Sequence, residues 1–271
     1  MYFQPLRAKA AAYHAKERAL AAVPTITTLL ADAEAVPDIS GCSGPAPAGP
    51  VAVVLDDVTF NFPRSSEPVL HGLNVTVHPG RWTAIAGPSG VGKTTLLAPI
   101  AGVRQPTSGA VRWVTPAGVS PPHLGGCAWI GQQTVLLPGS ISDNVRIGRP
   151  TASRAEVAHA VAAAGLADVV ARLPDGLGTP LGEGGWGLST GEARRIAIAR
   201  AFLSDAEIWV LDEPAHLDAA AEARVIDALH TATRGRTVIV ATHSAALARS
   251  ADTVLSVADG TIHATREATA A

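Results

Sequence analysis

From Val51 onward, short uninterrupted apolar runs alternate with stretches of helical composition. Trp82-Thr83-Ala84-Ile85-Ala86, Glu207-Ile208-Trp209-Val210-Leu211 and Thr237-Val238-Ile239-Val240-Ala241 have apolar residues at successive positions, as expected of strands covered on both faces. Val51–Leu55 and Val69–Val77 read as antiparallel strands. Helices are predicted at about Lys93–Gly102, Arg154–Ala164, Thr190–Ser204 and Ala219–Thr233. Such alternation implies an α/β fold built on a parallel sheet. Upstream, Leu6–Ala35 consists largely of helix formers and is interrupted or restarted at Pro24. Pro37–Pro50 carries Gly41, Gly44, Pro45, Pro47 and Gly49, a composition that favours a linker over an ordinary surface loop. Ala264–Ala271 reads as a frayed tail.

Composition narrows the class. The 271 residues, 47% of them apolar, can bury a sizeable core, so the chain as a whole is not disordered. A formal charge of −2 supplies no basic field for nucleic acid. Cys42 and Cys127 have no CxxC spacing and suit a reducing compartment. No apolar run approaches the ~18 residues of a membrane span, and the N-terminus lacks the pattern of a secretory signal. No period of 20–50 residues repeats, which excludes a solenoid.

Gly87-Pro88-Ser89-Gly90-Val91-Gly92-Lys93-Thr94-Thr95 matches GxxxxGK(S/T) between a predicted strand and a predicted helix. Glycines there let backbone N–H groups wrap a phosphate, Lys93 offers a point charge to the β- and γ-phosphates, and the Thr94 hydroxyl can reach Mg²⁺. Ile208–Leu211 then delivers Asp212 and Glu213 at the carboxyl end of a strand, the edge where ligands of open α/β sheets bind. Asp212 is expected in the Mg²⁺ shell, with Glu213 orienting or deprotonating the attacking water. By themselves two such carboxylates fit a solvated turn equally well; behind a phosphate loop they point to hydrolysis.

Ser189 and Glu192, in Leu188-Ser189-Thr190-Gly191-Glu192, have capping-box spacing. Alone this is a helix start. The same N-terminus, with Gly191 in its first turn, also leaves N–H groups for an anion. His243 ends the run Val238–Thr242 at the same edge and could donate to a γ-phosphate. Gln132 follows the apolar stretch Trp129-Ile130 and could reach both Mg²⁺ and the water; Gln133 competes with it. Phe62 could stack on a purine, Phe60 being its core-facing neighbour.

Taken together, these motifs resemble the nucleotide-binding domain of an ABC transporter, whose order they follow over about residues 51–262. The resemblance implies a P-loop NTPase of ABC type: a RecA-like parallel sheet, an antiparallel β subdomain and an inserted α-helical subdomain. On it, residues 1–50 form an N-terminal helix and linker from the end of a transmembrane domain, 51–132 and 189–262 the ATP-binding core, 133–188 the helical subdomain and 263–271 a tail. It further implies a head-to-tail dimer in which Ser189, Thr190, Gly191 and Glu192 meet ATP held by a second ABC domain. Asp218 would lie in the loop after the carboxylates. Glu183, in Thr179–Gly185, looks like the acidic residue of exporters that faces the transmembrane coupling helices, and Pro138–Val145 resembles the exporter stretch after the Gln loop. Tyr2–Arg7 with Ala12–Lys16 is similar to the CydD subunit of CydDC exporters, which serve cytochrome bd assembly. That likeness implies a CydC-type partner, haem or a thiol such as glutathione or cysteine as cargo, and a place at the cytoplasmic face of the bacterial inner membrane, the chain being an exporter half without its membrane domain.

The sequence departs from the family pattern twice. Thr190 stands where Gly is usual, and Asp212–Asp218 is one residue shorter than DEPxxxLD. Both features suit one strong and one weak ATP site. Two alternatives stay open beside the exporter motor: a nucleotide-gated domain whose partner hydrolyses, and a soluble ABC ATPase of DNA maintenance or translation. A small-molecule kinase or GTPase is disfavoured, because neither needs the capped helix and no NKxD motif is present.

Overall fold

The computed structural model describes residues 47, 49–63, 65, 67–132, 134–181, 187–214 and 219–267, all within one compact unit, Cys42–Ala271. The expected N-terminal helix, most of the linker, and the candidates Gln133, Glu183 and Asp218 lie outside the described residues.

Two sheets organise the unit. In the first, β1 (Ala52–Phe60) pairs antiparallel with both β2 (Leu70–Val77) and β4 (Ser108–Thr115), and β5 (Gly118–Ser120) extends β4, giving the order β2-β1-β4-β5. The second contains β3 (Trp82–Ala86), β6 (Cys127–Ile130), β9 (Ile208–Asp212), β10 (Thr237–Thr242), β11 (Thr253–Ala258) and β12 (Thr261–Glu267), in the order β12-β11-β3-β10-β9-β6. Its strands run parallel except for β12, an antiparallel edge on β11. A further pair, β7 (Gly139–Ser140) and β8 (Pro180–Leu181), is antiparallel.

The continuous apolar runs are explained by a core on each side of the parallel sheet. Ile208, Val210, Ile239, Ala241 and Ile85 face one cluster, which includes Val53, Leu55, Phe60 and Trp113 of the antiparallel sheet and Leu96, Leu97 and Ile100 of α1 (Lys93–Ile100). Trp209, Leu211, Val238, Val240, Trp82 and Ala84 face the other. That second cluster takes in α2 (Ile141–Arg146), α3 (Arg154–Ala163), α4 (Ala167–Arg172) and α5 (Thr190–Leu203), together with α6 (Ala219–Ala232) and α7 (Ala245–Ser250). Period-two alternation therefore operates within strands that are buried along nearly their whole length and mostly apolar, because both faces are covered.

Register decides where the site lies. Thr242 pairs with Ala86, and Ala241 pairs with Asp212. The carboxyl ends of β3, β10 and β9 are thus level, and the segments after them leave at one rim. At the other sheet, Gly109 (φ +78°) crosses β1 so closely that a Cβ would sit 2.2 Å from the Asp57 carbonyl oxygen. Only glycine fits there.

The chain end differs from expectation. Strand β12 runs to Glu267, with Val254 opposite Arg266 and Thr253 opposite Glu267, so the tail does not begin at residue 263 or 264. An edge strand is paired on one side only and needs no apolar run, which is why Thr261–Glu267 does not read as strand.

Leu211 is fully buried beside Asp212. Leu211→Ala is expected to lower unfolding stability by about 2–5 kcal/mol, measured by urea denaturation.

Candidate active site at the rim of the parallel sheet

Strand β3 ends at Ala86 and the chain turns through Gly87–Gly92 into α1. Gly87 has φ +156°, and a Cβ there would meet the Val257 carbonyl oxygen at 2.9 Å; Gly92, at φ +104°, caps α1 in the left-handed region. These conformations fold the loop over the strand end, with Pro88, Ser89 and Gly90 exposed, Val91 half-buried and Thr95 in the first turn of the helix. The Lys93 side chain is 7% exposed, and its Nζ donates to the carbonyl oxygens of Gly87 (2.8 Å) and Pro88 (3.0 Å). Nζ also lies 3.9 Å from Glu213 Oε1.

From β9 come the two carboxylates. Asp212 is 1% exposed and accepts a hydrogen bond from the Thr94 hydroxyl at 2.8 Å. Burial, reinforced by the neighbouring Glu213 charge, raises its pKa; the Thr94 hydrogen bond and the Arg194 and Lys93 charges oppose the rise. Glu213 is 9% exposed and has φ 50°, unusual for a residue with a Cβ. Its amide still donates to the Ala241 carbonyl at 2.9 Å, so the left-handed turn redirects the side chain without leaving an orphaned N–H. Glu213 Oε2 lies 2.8 Å from His243 Nδ1 and accepts from the His243 amide at 3.3 Å.

Lys93, Thr94, Asp212, Glu213 and His243 therefore form one connected cluster, contributed by α1, β9 and the end of β10. Gln132 is exposed at the end of β6, adjacent to β9, and its main-chain carbonyl accepts from Arg194 at 3.4 Å. Phe62 is 41% exposed, while Phe60 is buried and packs edge-on to it at 5.2 Å. Ser189, Thr190, Gly191 and Glu192 open α5, and there Ser189 and Glu192 bond one another as a capping box. No hydrogen bond or ion pair among the described residues ties those four to the Lys93–His243 cluster.

As a metal seat, the Thr94 hydroxyl and the Asp212 carboxylate present hard oxygen donors in hydrogen-bond contact. That set suits Mg²⁺, which takes one or two protein oxygens and completes its shell with phosphates and water. Among the described residues no group of three or more His, Cys, Asp or Glu could hold a metal unaided.

The profile of the ABC transporter family matches residues 70–216, more than half of the chain. The chain belongs to the ABC transporter family. This ABC domain is 43% identical, over 215 residues, to the mycobactin import ATP-binding/permease protein IrtB of Mycobacterium tuberculosis (strain ATCC 25618 / H37Rv), covering 78% of this chain and 37% of that protein. It is 34% identical, over 262 residues, to the ATP-dependent lipid A-core flippase of Chromobacterium violaceum, covering 95% of this chain and 44% of the flippase. The structure of a bacterial Atm1-family ABC exporter with ATP bound aligns with a TM-score of 0.73 at 32% identity, over 81% of this chain and 39% of that one. The chain thus spans less than half the length of these relatives. The ABC domain is a P-loop NTPase that binds ATP, and the domain family consists of ATPases coupled to transport.

Residues outside the motifs complete the ABC domain's rim. Arg194, 8% exposed, donates from Nη2 to the Asp212 carbonyl. Arg200 donates to the carbonyls of Val135 (2.6 Å) and Asn144 (2.8 Å) and to Asn144 Oδ1 (2.7 Å). Sequence reading passed over both. The available signal is helical phase: Arg194 shares a face with Ile198 and Ala201, an apolar stripe where an arginine must find buried acceptors.

Ser189→Ala removes the α5 cap and is expected to cost ~1 kcal/mol in urea unfolding. The Ser189 amide, followed by its hydroxyl, holds the Glu192 pKa below the usual glutamate value. A lowered folded-state pKa gives stability that is present above the unfolded value and lost as pH falls through the folded one. Glu192→Gln should therefore flatten the loss of melting temperature below about pH 4.3.

Proposed function

We propose that the chain is the ATP-hydrolysing motor domain of a membrane ABC transporter of exporter architecture, working in a head-to-tail dimer with a second ABC domain. The observation that carries this reading is the single cluster in which the phosphate-loop lysine, the Asp212–Glu213 pair and His243 meet at one rim. In it, the amides of Gly87–Thr95 cradle the phosphates and Lys93 turns its ammonium from the loop carbonyls to the β- and γ-oxygens. Thr94 and Asp212, with Gln132, hold Mg²⁺, which when bound neutralises the phosphate oxygens. Glu213, placed by its left-handed backbone, orients and deprotonates the attacking water, while His243 is held by Glu213 to donate toward the γ-phosphate. Phe62, proud of the buried Phe60, stacks on the base. Ser189, Thr190, Gly191 and Glu192 present the tip of α5 to the partner's ATP; the family resemblance assigns Asp218 to the dimer seam and Glu183 to contact with the coupling helices.

The relatives are named for importing mycobactin and for flipping a lipid. What they share with this chain is the motor, because the rim residues are placed to act on a triphosphate and water whatever the cargo. Among the described residues no helix is long and apolar enough to cross a membrane. Within the reading, the likeness of Tyr2–Arg7 and Ala12–Lys16 to CydD supports a CydC-type partner at the cytoplasmic face of the bacterial inner membrane. It also supports haem or a thiol such as glutathione or cysteine as cargo for cytochrome bd assembly. Thr190 and the shortened Asp212–Asp218 segment favour a second reading, a nucleotide-gated domain whose partner site does most of the hydrolysis.

Single-turnover phosphate release, with the partner domain present, separates the two. For the motor, Glu213→Gln slows the chemical step by about 10²–10⁴-fold while ATP still binds. A rate left untouched assigns hydrolysis to the partner's site. Lys93→Ala is expected to abolish nucleotide-dependent dimerisation, read by light scattering, and unchanged ATP affinity in that variant would place the triphosphate elsewhere.

A further inference from the structure

Arg194 brings a charge into the core where a helix–strand contact calls only for apolar groups. It is 8% exposed, and burial lowers its pKa against the opposing pull of Asp212 and Glu213. Nη2 donates to the main-chain carbonyl of Asp212 and Nη1 to that of Gln132, the latter at 3.4 Å; Nε has no hydrogen-bond partner among the described residues. Those two carbonyls mark the ends of β9 and β6, which are neighbours in the sheet. Asp212 immediately precedes Glu213, so the fork of one guanidinium ties the backbone carrying the proposed general base to the backbone carrying the proposed water- and metal-facing amide. Arg194 lies one turn into α5 from its capped tip, and Arg200 of the same helix holds the Gln132 loop again at Val135. The loop is therefore gripped at both ends by one rigid element.

Resting on the ATPase reading above, we propose that Arg194 is a positioning residue for hydrolysis: its fork fixes the separation of Gln132 and Glu213 across the seat of the γ-phosphate and moves both with helix α5. It touches neither nucleotide nor water and acts through two main-chain carbonyls. A planar fork with several N–H donors can bridge two acceptors, whereas an ammonium is a point charge and a glutamine amide offers a single NH₂ group.

The test measures steady-state ATP hydrolysis, and binding of a fluorescent ATP analogue, with the partner domain present, by the wild-type chain, by Arg194→Lys and Arg194→Gln, and by Lys93→Ala as reference. The expected result is that both Arg194 variants lose turnover by about 10- to 100-fold, with KM and analogue affinity within about threefold of wild type. Wild-type turnover in both variants overturns the proposal. Full rescue by Arg194→Lys overturns it too, since charge alone would then suffice. A KM rising in step with the fall in kcat also overturns it, because Arg194 would then shape the nucleotide seat as a whole. If neither variant folds, hydrogen exchange on the wild-type chain decides: the amides of Gln132 and Glu213 must gain protection together when a non-hydrolysable ATP analogue is added, and independent protection overturns the coupling. Failure of the ATPase reading looks different, since Lys93→Ala would then bind and hydrolyse ATP like wild type.

Discussion

Two adjacent carboxylates at the end of one buried strand dictate what surrounds them. Asp212 and Glu213 are 1% and 9% exposed, and removing a partner from a buried ionic group costs roughly 3–5 kcal/mol. Each compensating group comes from a different part of the chain: the Thr94 hydroxyl and Lys93 ammonium from α1, the Arg194 guanidinium from α5, and the imidazole of His243 from beyond β10. The charges are tolerated only when those elements are docked. The arrangement is thus an assembled product of the tertiary fold, and the same assembly brings Lys93, Glu213 and His243 together.

The register of the parallel sheet makes that convergence possible. Because Ala86 pairs with Thr242 and Asp212 with Ala241, three segments that are distant in sequence leave the sheet within one residue of the same height. The phosphate loop, the carboxylate pair and His243 then need only short turns to meet. One of these turns is strained: Glu213 takes a left-handed backbone at φ 50°. Such a conformation persists where surrounding bonds over-determine it, here the amide bond to Ala241 and the carboxylate contacts with His243 and Lys93.

Legibility in the sequence followed the strength of each local signal. Strands β3, β9 and β10 were plain because both faces are covered and apolar residues dominate their runs. Helix α5 was plain because Ser189 and Glu192 spell its cap, and its end at Leu203 fell within one residue of expectation. The Gly87–Thr95 loop was legible because its glycine spacing falls between a predicted strand and a predicted helix. Strands β4 and β12 were not read, since half-exposed or edge strands alternate polar and apolar residues too weakly to stand out from loop. Arg194 and Arg200 were missed for another reason. Their bonds include ones to main-chain carbonyls more than 50 residues away in sequence, at Gln132 and Asn144, and carbonyls leave no trace in side-chain pattern.

That blindness bears on how the rim is built. A leucine at position 194 would satisfy the packing of α5 against the sheet and spare the chain a buried charge. It would also leave the buried carbonyl of Asp212 without this donor, an unsatisfied acceptor costing about 1–3 kcal/mol, and would remove a cation from behind two carboxylates. An arginine answers both demands with one side chain, and its planar fork fixes a distance where a packed methyl group fixes only a volume. The capped tip of α5, exposed at Ser189 and Thr190, and the buried Arg194 one turn away sit on the same rigid helix. A force applied at the tip has few soft joints to cross before it reaches the strand end that bears Glu213. In this sense the helix is mechanically part of the site, although none of its side chains hydrogen-bonds or pairs with the Lys93 ammonium, the Glu213 carboxylate or the His243 ring among the described residues.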